Sequence, residues 1–153
     1  MNIVGDGPEY DAIVKRAGEL GVDNRLEIRR NADDQEKYRL MQGADLGLLL
    51  SIYDENTGGY EGFGIVMLEY AAAGCVPVTN GRHGMADFGV TLEGALLALN
   101  DNRPVKAHAA DLMQSAGDDA LMQLKLSHAR TLIEEMYTWE RVGERAAEAM
   151  AGM

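Results

Sequence analysis

Residues 45 to 50 read DLGLLL and residues 76 to 79 read VPVT, two apolar runs without polar alternation. A strand with one wet face alternates, because successive side chains point to opposite faces. A strand apolar throughout needs cover on both faces, and parallel sheets obtain it from helices. The surrounding sequence supplies those helices.

Asn2-Ile3-Val4 reads as the end of a strand and passes into the turn Gly5-Asp6-Gly7-Pro8. Ile13, Val14, Ala17 and Leu20 then recur at helical spacing, with Pro8 suited to the first helical position and Gly21 to a stop. Leu26 to Arg30 alternates, as a short half-exposed strand does, and Asp33 or Asp34 can cap a brief helix carrying Tyr38 and Met41. Residues 51 to 60 (SIYDENTGGY) form a loop. A helix from about Gly64 to Ala73, ended by Gly74, leads into VPVT. A glycine-bearing loop over 80–89, a strand within Gly94 to Leu99, and helices near 104–115, 119–137 and 138–150 complete the chain. The pattern predicts an α/β fold with a doubly wound parallel sheet, helices on both faces, in one domain over 1–153.

The 153 residues are 46% hydrophobic, which excludes disorder and suffices for a core burying roughly 70% of the unfolded surface. The net charge of −11 argues against nucleic acid or an anionic membrane as partner. A local phosphate site at a helix tip stays open to such a chain. Cys75 is the single cysteine, read as a small buried filler, and implies a reducing, cytoplasmic setting. Neither a signal peptide nor a membrane-length apolar stretch is evident. The acids are scattered and His83, His108 and His128 lie far apart, so no metal or cofactor is expected. The methionines of the C-terminal helices read as adaptable packing.

Parallel doubly wound sheets bind ligands beyond the carboxyl ends of their strands. The Gly5–Pro8 turn, Ser51, the Glu61 loop and the 81–84 loop all fall at such ends. The segment EGFGIVMLE, residues 61 to 69, carries the chemistry. If a helix begins near Phe63, the amides of Gly64, Ile65 and Val66 point out of its N-terminus. Glycine at 62 and 64 lets a phosphate approach the backbone, and the helix dipole contributes about 0.3–1 kcal/mol toward an anion. Glu69 falls among Val66, Leu68 and Ala72, where a carboxylate requires a partner and ribose hydroxyls could serve.

EGFGIVMLE, followed by AAAG at 71–74 and PV at 77–78, resembles the Glu-x7-Glu signature of retaining GT-B glycosyltransferases of family 4, the group 1 type. GDGPE at 5–9, NRLEI at 24–28, ADLGLLLS at 44–51 and YTWE at 137–140 are similar to further elements of that family in the same order. The resemblance implies a Rossmann-like donor domain, one half of a GT-B fold, that binds a nucleotide-diphosphate sugar for retaining hexosyl transfer without an essential metal. It implies Glu61 as the catalytic-site acid on the donor hexose. It makes Gly5, Gly7, Ser51, Gly62, Phe63, Gly64, Ile65, Glu69 and Arg82 donor-binding: amides around Gly64 and Ile65 on the diphosphate, Glu69 on the ribose, and the loop after Ile28 near the base.

The chain departs from that family in beginning one strand later, without the glycine-arginine pair and the lysine that flank the diphosphate. By the same resemblance, the family's acceptor-binding N-terminal domain is expected to be missing from these 153 residues. Arg82 and His83 could compensate in part. Absence of the first strand is expected to leave the strands at Ile3-Val4 and Asp45–Leu50 with open edges, inviting self-association or a partner chain. The alternative reading is a non-catalytic interaction or scaffold domain derived from a glycosyltransferase. A response-regulator receiver is disfavoured because the strand at 45–50 ends in Leu50-Ser51 where a phosphoacceptor aspartate belongs.

Overall fold

The computed structural model describes residues 1–51, 59–80, 85, 97–99 and 103–152. It forms two compact units, Met1–Gly43 and Ala44–Met153.

In the first unit, β1 (Asn2–Val4) pairs in parallel with β2 (Glu27–Arg29), Ile3 standing opposite Ile28. A parallel pair requires a crossover, supplied here by α1 (Tyr10–Glu19), which turns Ala17 into the core. Gly21, at φ 64°, ends that crossover in the left-handed region. The helix α2 (Asp34–Gln42) starts where Asp33 accepts a hydrogen bond from the Glu36 amide at 2.7 Å, and it buries Met41. This resolves the choice of cap in favour of Asp33.

The second unit contains a three-stranded parallel sheet in the order β3 (Leu46–Leu49), β4 (Val76–Thr79), β5 (Leu97–Ala98). The central strand β4 is buried at every position, as its unbroken apolar run requires. Pro77 is tolerated there for a geometric reason. The Val76 amide donates to Asp45 on the β3 side at 2.9 Å, so the nitrogen of Pro77 faces the β5 side, where described pairing begins one residue later, at Val78. The helix α3 (Ile65–Ala73) links β3 to β4 and buries Met67 and Ala71. It ends on Gly74 at φ 88°, with the Cys75 amide reaching back to the Tyr70 carbonyl at 2.9 Å.

The C-terminal segment forms α4 (Val105–Ala116), α5 (Asp119–Leu132), a π turn (Ile133–Tyr137) and α6 (Trp139–Ala151). Ala71 of α3 and Ala129 of α5 centre a small core covered by Leu68, Leu132, Ile133 and Tyr137. Small side chains at that crossing let the helices approach closely. The expected helix over 119–137 is therefore α only to Leu132, and a π turn completes it. Every described residue of α6 is exposed, Trp139 to 90%.

Among the described residues, β1 has β2 as its one hydrogen-bonded neighbour, and β3 has β4. Among the described residues, each unit thus carries a parallel strand paired along one edge. The parallel α/β architecture read from the sequence is the one observed.

Candidate functional site

The loop before α3 folds back on itself. One carboxylate oxygen of Glu61, Oε1, accepts from the Gly64 amide at 2.8 Å and from the Phe63 amide at 3.2 Å. Of the three amides expected to be open at the helix tip, that of Gly64 is therefore taken, by the acid expected to face the ligand. The physical reason is local: the first amides of a helix are orphaned, and an acceptor three residues back is well placed to cap one. Among the described residues, the amides of Ile65 and Val66 meet no acceptor.

Gly64 stands at φ 79°, in the left-handed region. A Cβ added there would come within 2.9 Å of Leu49 Cδ2, so the turn is pressed against the carboxyl end of β3. Around Gly62, no atom of the described residues beyond its chain neighbours lies within 4 Å of where a Cβ would stand. Gly62, Phe63 and Ile65 are exposed, while Gly64 is buried. The tip is thus supported from beneath and open above. Glu69 is half-buried, one turn beyond Ile65 and in line with Ala72, the least covered stripe of α3. Burial raises the neighbouring Tyr70 phenol above its ordinary pKa, with Cys75 and the Glu69 charge adding to it.

The strand ends converge beside this tip. Ser51 follows β3, and its carbonyl accepts from Asn80 Nδ2, which follows β4, at 2.8 Å. Among the described residues Asn80 Oδ1 is buried without a partner. The sequence reading selected Ser51 by the strand-end rule and passed over Asn80, which the same rule selects. Arg82 and His83 lie outside the described residues.

Gly5 and Gly7 belong to the first unit. The Gly5 amide extends the β1–β2 ladder by donating to Arg29 at 3.0 Å. Asp6 Oδ1 accepts from Arg30 Nε at 2.6 Å, and the same guanidinium stands 4.5 Å over the Tyr10 ring. Hydrogen bonding to Asp6, and its charge, hold Arg30 above its ordinary pKa. The glycine turn after β1 is thereby tied to the segment after β2. Sequence reading missed Arg30; its place directly past a strand end was the available signal.

Cys75 is buried, and burial, aided by Asp45, pushes its thiol up to about 11, as a packing residue requires. Among the described residues no three His, Cys, Asp or Glu side chains gather into a metal site, and no helix is long and apolar enough to cross a membrane.

A parallel α/β sheet with a helix tip open beyond its strand ends is an arrangement that can hold a phosphate. Residues 1–130 match the family of glycosyl transferases group 1, and the chain belongs to that family. It is 27% identical to a glycogen synthase of Mycobacterium tuberculosis over 148 residues, covering 97% of this chain and 34% of that protein. It thus spans about a third of the length of the curated relatives it matches. In fold it matches S. aureus TarM, solved in complex with UDP, with TM-score 0.74 and 22% identity over 96% of this chain and 28% of that one. It also matches sucrose-phosphate synthase of Thermosynechococcus elongatus, with TM-score 0.74 and 19% identity over 99% of this chain and 39% of that one. The fold is that of one half of a GT-B glycosyltransferase, as the sequence led us to expect.

Proposed function

We propose that this chain is the donor-binding half of a retaining hexosyltransferase that uses a nucleotide-diphosphate sugar. The observation that carries the reading is the α3 tip, where the Ile65 and Val66 amides are open beside a carboxylate already oriented by backbone donors. Two amide hydrogen bonds to a charged diphosphate contribute about 1.5–3 kcal/mol each, and the helix dipole adds less than either. Glu61, held through Oε1, keeps its second oxygen for a sugar hydroxyl. Glu69 lies along the helix at the right remove for a ribose, about 6 Å of rise beyond Ile65.

In the reaction the bond between the anomeric carbon and the diphosphate oxygen breaks. The electron pair leaves with the diphosphate, where the tip amides stabilise the growing charge. An acceptor hydroxyl then joins the same face of the sugar and gives its proton to the departing diphosphate oxygen. The acceptor site would come from an N-terminal domain or a partner chain. Support for that comes from the share of its relatives that this chain spans, the open edge of β3 and the uncovered α6. The single buried thiol suits a cytoplasmic setting.

Calorimetry and saturation-transfer NMR with UDP-, GDP- and ADP-sugars test the reading. One of them should bind at millimolar concentration or better, and Glu69→Ala should weaken it. Failure of all three to bind at millimolar levels would refute the proposal.

A further inference from the structure

Phe63 supplies one of the two amides that hold Glu61, and the residue is 42% exposed. The ring meets one aromatic side chain among the described residues, Tyr137, at 6.3 Å between centroids and 51° between planes, within the range of favourable tilted aromatic pairs. Tyr137 is the last residue of the π turn, and it also lies on the Ala71–Ala129 core. One phenol ring therefore touches both the α3–α5 core and the loop that bears the site acid.

The π turn explains why Tyr137 can do both. Along an α-helix, residues four apart drift by about 40° around the axis, so eight residues past Ala129 a side chain would have swung about 80° away from α3. A π turn is wider, and the interval Ile133–Tyr137 takes back the drift accumulated over Ala129–Ile133. Tyr137 returns to the face that Ala129 presents to α3. The next residue, Thr138, leaves helical geometry at ψ 150° and caps α6 by accepting from the Arg141 amide at 3.3 Å. The wide turn thus occupies the last position from which α5 can reach the Phe63 loop.

We propose that Tyr137 is a positioning residue for Glu61: its ring buttresses Phe63 and so fixes the loop whose amides aim the carboxylate. The inference rests on the reading of Glu61 as a site residue, but its structural half is tested without any ligand. Amide hydrogen exchange in the full chain would be followed by NMR at Gly64, the 2.8 Å donor to Glu61, and at Val78 in the central strand as the reference for overall stability. Tyr137→Leu should accelerate exchange at Gly64 about tenfold while changing Val78 less than about twofold. Tyr137→Phe, which retains the ring, should leave both at wild-type rates. Phe63→Leu removes the contact from the exposed side and should reproduce the Gly64 effect should Tyr137→Leu fail to fold. UDP titrated by calorimetry should bind Tyr137→Leu roughly three- to tenfold more weakly than wild type. Exchange at Gly64 that moves only in step with Val78, or a Tyr137→Phe protein as fast as Tyr137→Leu, would overturn the inference and leave Tyr137 a core residue. Should UDP fail to bind the wild-type chain, the donor reading falls, while the Gly64 and Val78 rates still decide the role of Tyr137.

Discussion

Gly47 on β3 offers the sharpest test of how the sheet positions the site. A Cβ built on Gly47 would stand 2.3 Å from Cγ of Tyr70 and 2.5 Å from both Cδ atoms, so the ring lies flat on bare backbone. Ordinary carbon contacts are about 3.5–4.0 Å, and Gly47→Ala therefore drives the ring back by more than about 1 Å. The displacement falls on α3, which carries Tyr70 next to Glu69 and continues from the Glu61 turn. Overpacking of this kind costs about 2–3 kcal/mol. Tyr70→Ala alone should cost about 2 kcal/mol, because the ring is half-buried and its hydroxyl contact to the Leu48 carbonyl, at 3.4 Å, is long. In the Tyr70→Ala background, Gly47→Ala meets no ring and should be neutral or stabilising by about 0.5–1 kcal/mol, since alanine costs less backbone entropy than glycine in a strand. The double-mutant cycle thus predicts a coupling of about 2–4 kcal/mol, measured from urea unfolding of the four proteins by far-UV circular dichroism. A cost for Gly47→Ala that agrees within about 0.5 kcal/mol in both backgrounds would refute the argument.

Three further outcomes are expected. The folded chain keeps the Cys75 proton up to about 11, whereas the unfolded chain releases it from about pH 9, so this contribution is full below pH 9 and is lost as pH rises through 11. The loss should be on the order of 2 kcal/mol and should shrink in Cys75→Ala when urea midpoints at pH 8 and 10.5 are compared. Asp33→Ala removes the acceptor that caps α2 and should destabilise that helix by about 1 kcal/mol, read as faster amide exchange within Asp34–Gln42. With a net charge of −11, the chain repels a diphosphate at long range while the α3 tip binds it locally, so UDP affinity should rise several-fold as salt shortens the Debye length from about 30 to about 8 Å. Weaker calorimetric binding in salt would instead point to cations, such as Arg82, as the main phosphate contacts.

Much of this architecture was legible because it follows from short-range demands. VPVT is a strand at the positions read for it, and the helix between it and DLGLLL stops on Gly74, because an apolar run needs cover and a left-handed residue ends a helix cheaply. What escaped depends on partners remote in sequence or on competition for one donor. The glycine in DLGLLL was read only as part of an apolar strand, and nothing near it in sequence names Tyr70, in the next helix, as the group lying on it. The π turn uses residue types that suit an α-helix equally, so only the packing of Tyr137 back toward Ala71 and Ala129 reveals it. Glu61 was read as facing a ligand, and its spacing to Gly64 is also that of a cap; sequence cannot rank a donor's two acceptors when one of them is not in the chain. The same asymmetry explains the uncovered surfaces. Leu48 is 43% exposed on a strand written for cover on both faces, and α6 presents Trp139, Val142 and Met150 with every described residue in water. A sequence records what each element must be covered by in kind, apolar or polar, and leaves the supplier unstated. On the function proposed here, the strand edge and the helix face are where an acceptor-binding half would supply that cover.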